Sequence, residues 1–200
     1  MKYVRLRTQI KDTQYYNKLI FHIQNSEILD WVELICEQEQ ANTTYGKATS
    51  SSKRWHPKIC NGVGGLFHHT KLCCLIAQRL IALYRPMGRL TDEDLDIIYA
   101  SLILHDLWKY VSIKGEQTKG TQFEHGYIAY LNLQKYVTGE PWQDRILEAV
   151  RFHMSNWCHT DEEITLAQET DSLVNQIIMI ADMIASEPKI IEYIEGDEEN

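Results

Sequence analysis

Residues 100–107, ASLILHDL, decide the fold. Five small or apolar residues in a row do not alternate as a half-buried strand would. With Leu95 and Ile98 ahead of them at helical spacing, they read as a helix that is apolar nearly all round and therefore buried. That helix runs into His105 and Asp106 side by side. A carboxylate and an imidazole there are costly to desolvate unless they are paired or hold a cation.

Working outward, Thr91 followed by Asp94 is a capping-box pattern that starts this helix. Upstream, Leu72, Leu75, Ile76, Leu80 and Leu83 share one helical face from His69 onward, ended by Pro86-Met87-Gly88. Earlier still, Ser26 caps a helix carrying Ile28, Trp31, Val32 and Ile35 that fades at Ala41. Residues 42–54 are a loop by composition, and residues 1–25 read as extended or irregular.

Downstream, Gly115–Gly120 is loop-like, and a helix is expected from near Glu124 to about Tyr136. Gly139-Glu140-Pro141 leads into another that ends near His153. Thr170 opens the last, with Leu173, Ile177, Ile180 and Ile184 on one face. No alternating Val/Ile/Thr run rivals these, so the fold class is all-α. The division is an N-terminal extension with one helix (1–50), one helical bundle with a metal centre in its core (51–190) and an acidic tail (191–200).

A second buried carboxylate strengthens the metal reading. Asp182 lies within IIMIADMIA, residues 177–185, and no basic residue falls between Thr170 and Glu187 to pair with it locally. An unpaired carboxylate in such a helix would cost several kcal/mol or protonate. His69 in GGLFHHT, His125 in FEHGYIAY and His153 in AVRFHMSNW each fall near a helix end. Imidazoles and carboxylates together suit Mn, Fe, Co, Ni or Zn, and helical folds draw such ligands from several helices.

Composition narrows the rest. With 200 residues, 44% of them hydrophobic, the chain can bury a core without disulfides. No apolar run approaches a membrane span and no signal peptide is evident, so a cytoplasmic location is expected. The five cysteines form no Cys-x-x-Cys pair and read as reduced, mostly buried thiols. Net charge is −8, but five acids sit between Glu192 and Asn200, leaving −8 + 5 = −3 for the body. An acidic chain is a poor candidate for non-specific nucleic-acid coating.

Taken as a series, GGLFHHT, ILHDLWK, EHGYIAY, RFHMSNW and IADMIAS resemble the HD superfamily of metal-dependent phosphohydrolases, over roughly residues 56–186. The resemblance implies that His69, His105, Asp106 and Asp182 hold one divalent transition metal. His69 is preferred to its neighbour His68. His125 and His153 match the additional histidines of relatives with a second ion, Asp106 bridging the two. It also implies Asp106 and Lys109 as catalytic, with Lys109 near the substrate phosphate.

The segment KRWHPKICNGVGGLFHHT is most similar to the HD module of bacterial 3′→5′ exoribonucleases. Residues 1–55 are too short and too helical for the OB domain those relatives carry, so nucleotides or short oligonucleotides are the expected substrates. Many relatives have glycine where this chain has Trp108, whose indole could stack on a base or pack under a loop. Arg54, His56 and Lys58 are candidates for a phosphate-facing rim. Asp106→Ala is expected to abolish turnover with modest loss of fold.

Three other readings compete: a catalytically inactive nucleotide-binding regulator on the same fold, a dinuclear-iron oxygenase, and a helical interaction protein with incidental histidines. A second copy of the chain is a candidate partner, through aromatics near the N-terminus.

Overall fold

The computed structural model describes residues 15–51, 56–154 and 172–189, together with 160, 162 and 164–166. The helices with described bounds are α1 (Ser26–Gln38), α2 (Ala41–Tyr45), α3 (Gly65–Tyr84), α4 (Asp92–Leu104), α5 (His125–Leu133), α6 (Pro141–Phe152) and α7 (Leu173–Ala185); residues 162 and 164–166 are helical as well. Among the described residues there is no strand, only an isolated bridge between Val111 and Gln117. The all-α expectation holds. No helix of the described residues is long and apolar enough to cross a membrane.

α4 is the central element, as its uniform apolarity requires. From Asp96 to Leu104 every residue is buried, and α1, α3, α6 and α7 all pack against it. Its start is a complete capping box. Thr91 Oγ1 accepts from the Asp94 amide at 3.1 Å, and Asp94 Oδ2 accepts from the Thr91 amide at 2.7 Å.

The N-terminal region belongs to the same core. One apolar cluster runs from Tyr16 through Ile28, Val32 and Ile35 to the α7 residues Ile177 and Ala181. Buried Asp96 accepts from the backbone amides of Gln24 and Asn25 at 2.7 and 3.0 Å, which ties the start of α1 to α4. The cap of α1 is Asn25, not Ser26, because the Asn25 side chain accepts from the amides of Glu27 and Ile28. Tyr16 is buried in the chain's own core, while Phe21 stays exposed.

Two boundaries differ from the expected ones. A short helix, α2, occupies part of the expected loop, held by buried Tyr45, whose hydroxyl donates to the Ile103 carbonyl. α3 begins at Gly65, four residues before His69. Gly64 has φ +73°, and a Cβ on Gly65 would lie 2.1 Å from the Cys60 carbonyl oxygen. Only glycines fit that entry, so the pair starts the helix instead of interrupting a loop. Thr170, Arg54 and the acidic tail lie outside the described residues.

Candidate metal centre

Five elements deliver six side chains to one place. His69 comes from the first turns of α3, His105 and Asp106 from the turn after α4, and His125 from the first position of α5. His153 follows α6, and Asp182 lies in α7. Asp106 is the hub. Its Oδ2 lies 3.4 Å from His105 Nε2, 3.7 Å from His69 Nε2 and 2.6 Å from Lys109 Nζ. Its Oδ1 lies 3.0 Å from His125 Nε2 and 4.0 Å from His153 Nε2. Asp182 Oδ1 sits 2.9 Å from His69 Nε2 and 3.8 Å from His105 Nε2. His68, by contrast, is in none of these contacts; its ring packs on Phe67.

Three of the histidines are aimed by one local device. Nδ1 of His105, His125 and His153 lies 2.7, 2.8 and 2.7 Å from the carbonyl of the residue three back: Leu102, Gln122 and Val150. A carbonyl can only accept, so each Nδ1 carries the ring proton and each Nε2 turns inward. For His105 and His153 the carbonyl is one that the last turn of a helix leaves without an amide partner. A metal-binding histidine characteristically donates its other N–H in this way. Gly126 lets α5 approach closely enough for His125 to meet His153. A Cβ there would lie 2.8 Å from the Arg151 carbonyl oxygen and 3.2 Å from His153 Cε1.

Buried charge is the dominant feature. His69 and His105 have no exposure, and Asp106 is 1% exposed. Burial holds His69 below its usual range, and it depresses His153 to about 3, so both rings are neutral. Burial works against the charge of Asp106 too, but Lys109, His105 and His125 outweigh it and hold the carboxyl well below the ordinary range. Asp182 is likewise low, burial being outweighed by its hydrogen bond with His69. Lys109 is raised despite burial, through Asp106 and Asp182, and stays charged. His105 is also raised, the two carboxylates overcoming its burial. Two carboxylates, Asp106 and Asp182, thus share the core with a single lysine ammonium.

The unsatisfied atoms say what would complete the cluster. Asp106 Oδ1 and His105 Nε2 are buried and without a hydrogen-bond partner. His153 Nε2 faces His125 Nε2 at 3.2 Å, and both face Asp106 Oδ1. Three acceptor atoms thus converge with at most one proton among them, an arrangement a cation relieves. The donor atoms of His105, Asp106 and His153 all lie within 4.8 Å of one another, and so do those of His69, Cys73, His105 and Asp182. The chemistry and convergence of these atoms fit a divalent ion.

A family model for the HD domain matches residues 66–187. This chain belongs to the HD domain family. The match spans α3 to α7, and so contains all six converging side chains. The HD domain places the chain in a superfamily of metal-dependent phosphohydrolases, and its His/Asp groups are compatible with a metal site. No curated protein and no solved structure matches the chain.

The remaining site residues of this HD domain fall in different places. His56 stacks edge-on against His69 with ring centroids 5.0 Å apart, and its Nε2 lies 3.2 Å from Ser186 Oγ. Burial depresses it to about 3, so it is a neutral backing for His69, not a cationic rim. Lys58 is exposed on a 3-10 turn, and Arg54 lies outside the described residues. Trp108 offers no stacking face: it is 3% exposed, and its Nε1 donates to Glu39 at 3.1 Å. Glu39 also accepts from Tyr136 at 2.6 Å, so the indole fastens the turn after α4 to the end of α1. Sequence reasoning overlooked Cys73, one helical turn from His69, although the four-residue spacing was visible. It also overlooked Gly126.

Proposed function

We propose that this HD domain hydrolyses phosphate esters of nucleotides or short oligonucleotides with one or two divalent transition metal ions. His69, His105, Asp106 and Asp182 would hold one ion, and Asp106, His125 and His153 a second. The observation that carries the reading is the convergence of Asp106 Oδ1, His125 Nε2 and His153 Nε2 with at most one proton among them. That the two oxygens of Asp106 face separate sets of imidazoles supports two ions over one.

A bound divalent ion supplies a water ionised near neutral pH and neutralises charge on phosphoryl oxygens. The chain's own groups do the rest. The Nδ1–H bonds to Leu102, Gln122 and Val150 keep His105, His125 and His153 in the ligating tautomer. Lys109 is a fixed positive charge beside Asp106, placed to offset negative charge that builds on a phosphoryl group. Among the ligands and Lys109, Asp182 has the largest side-chain exposure, 18%, against 10% for Lys109 and 7% for His125. So narrow an approach favours a terminal or small phosphate over a long polymer threaded through the site.

The test is hydrolysis of bis-p-nitrophenyl phosphate by metal-stripped protein reloaded with Mn, Co, Ni or Zn, beside Asp106→Asn. Asparagine is the better substitution, because its amide oxygen can still accept from Lys109 Nζ, whereas Asp106→Ala would leave the buried ammonium with neither charge nor acceptor there, at a cost of about 3–5 kcal/mol of stability. Metal-dependent turnover that disappears in the variant supports the proposal. Ion binding without turnover on this ester or on a nucleotide panel would favour the inactive nucleotide-binding reading instead.

A further inference from the structure

The four-donor group in the core has a member that the His and Asp pattern does not include. Cys73 follows His69 by four residues on α3, so the two side chains stack on one helix face. Its Sγ lies 3.6 Å from His69 Nε2. Donor atoms of His69, Cys73, His105 and Asp182 are all within 4.8 Å of one another, a group that does not include Asp106. The thiol has no solvent exposure. One of the atoms it sits among, His105 Nε2, is itself buried and without a hydrogen-bond partner. Cys36, Cys60 and Cys74 are also buried and free, yet none of them belongs to either donor group.

We infer that Cys73 is a further ligand to the ion held by His69, His105 and Asp182, and that its sulfur steers this position toward zinc, cobalt or ferrous iron over manganese. The inference rests on the metal centre proposed above. Coordination replaces the S–H proton, which leaves to solvent as the sulfur–metal bond forms. Beside Asp106, the two imidazoles, the Asp182 carboxylate and the thiolate add up to nitrogen, oxygen and sulfur donors of the kinds zinc takes. Manganese prefers carboxylate, carbonyl and water oxygens, whereas thiolate donors select softer ions. A position otherwise open to any ion of the series therefore gains a built-in preference from one side chain.

Titration of the metal-stripped full chain with Co(II), followed by absorption, tests this directly. A thiolate ligand gives a near-ultraviolet charge-transfer band alongside the visible d–d bands. The band should appear in the wild type, vanish in Cys73→Ser and Cys73→Ala, and persist in Cys74→Ser. In competition titrations Cys73→Ser should lose at least the roughly 10–100-fold in zinc affinity that removing a mere supporting partner of a ligand costs, and far less for manganese. Visible d–d bands in the wild type without the charge-transfer band would overturn Cys73 as a ligand while leaving the metal centre standing. So would a band unchanged in Cys73→Ser. Failure of the wild type to take up cobalt or zinc at all would remove the metal centre, and this inference with it.

Discussion

The two ends of α4 carry the same kinds of group and use them in opposite ways. At the start, Thr91 and Asp94 satisfy one another, and Arg145 from α6 pairs with both Asp94 and Glu93. These groups lie near solvent, and each side chain pairs with another within the protein. At the other end, His105 and Asp106 sit with almost no exposure and keep atoms without partners. Polar groups that close on each other stabilise a helix end. Polar groups that converge and fail to close mark where something from outside the chain belongs.

Substituting each carboxylate by its amide should break this contrast most sharply. Asp106→Asn is expected to lower metal-dependent phosphoesterase activity on the order of 10³-fold, the several kcal/mol attributed to a catalytic metal. Asp94→Asn should leave activity within about twofold, because its partners are structural. Steady-state rates on the same ester check both. Equal losses in the two variants would mean that the α4 C-terminal end is no more functional than its start.

Metal binding should divide the ends by stability as well. Adding zinc or cobalt to the stripped protein at 100-fold its Kd should raise unfolding free energy by about 2.7 kcal/mol. Urea titration with and without the ion measures the shift, which should shrink in Asp106→Asn and remain in Asp94→Asn. A smaller effect is expected at Gly126. Alanine there must push on the Arg151 carbonyl and on His153, costing about 1–3 kcal/mol as overpacking does and weakening the ion shared with His125. Gly62→Ala, where an added Cβ meets nothing within 4 Å, is its control. Identical melting curves for the two glycine variants would show that the α5–α6 contact does not hold the histidines.

How far the sequence disclosed this depends on the range of the interactions involved. α4 and α6 were legible because a run of apolar residues and a capping pattern lie within one helix length. All six converging residues are legible: the histidines and Asp106 stand near helix boundaries that the pattern marks, and Asp182 is a carboxylate inside an apolar helix with no local base. What was hidden is long-range. α2 exists because Tyr45 reaches Ile103, 58 positions away, and nothing in ANTTY announces a helix. Trp108 took its position from Glu39, 69 residues earlier, so its burial could not be read from HDLWK. Cys73 was passed over for a different reason. No second cysteine stands at a metal-binding spacing from it, and its neighbour is His69 on the same helix face.

The smallest expected effect lies at the capping box, and it carries a sign. Burial alone would raise Asp94, but its hydrogen bonds with Thr91 and Arg145 hold the carboxyl below its ordinary value in the folded chain. The unfolded chain therefore takes up this proton first as pH falls. The contribution of Asp94 is complete above the unfolded value of about 3.9 and is lost as pH drops through the lower native value. At neutral pH, Asp94→Asn should cost about 1 kcal/mol, the usual worth of a helix cap. In the variant, the part of the acid loss that begins near pH 4 should be missing. Paired urea titrations at pH 7 and pH 3 measure this: the gap between wild type and variant should narrow at the lower pH. A gap that stays constant would mean that the charge of Asp94 contributes nothing, and that the start of α4 is held by Thr91 and apolar packing alone.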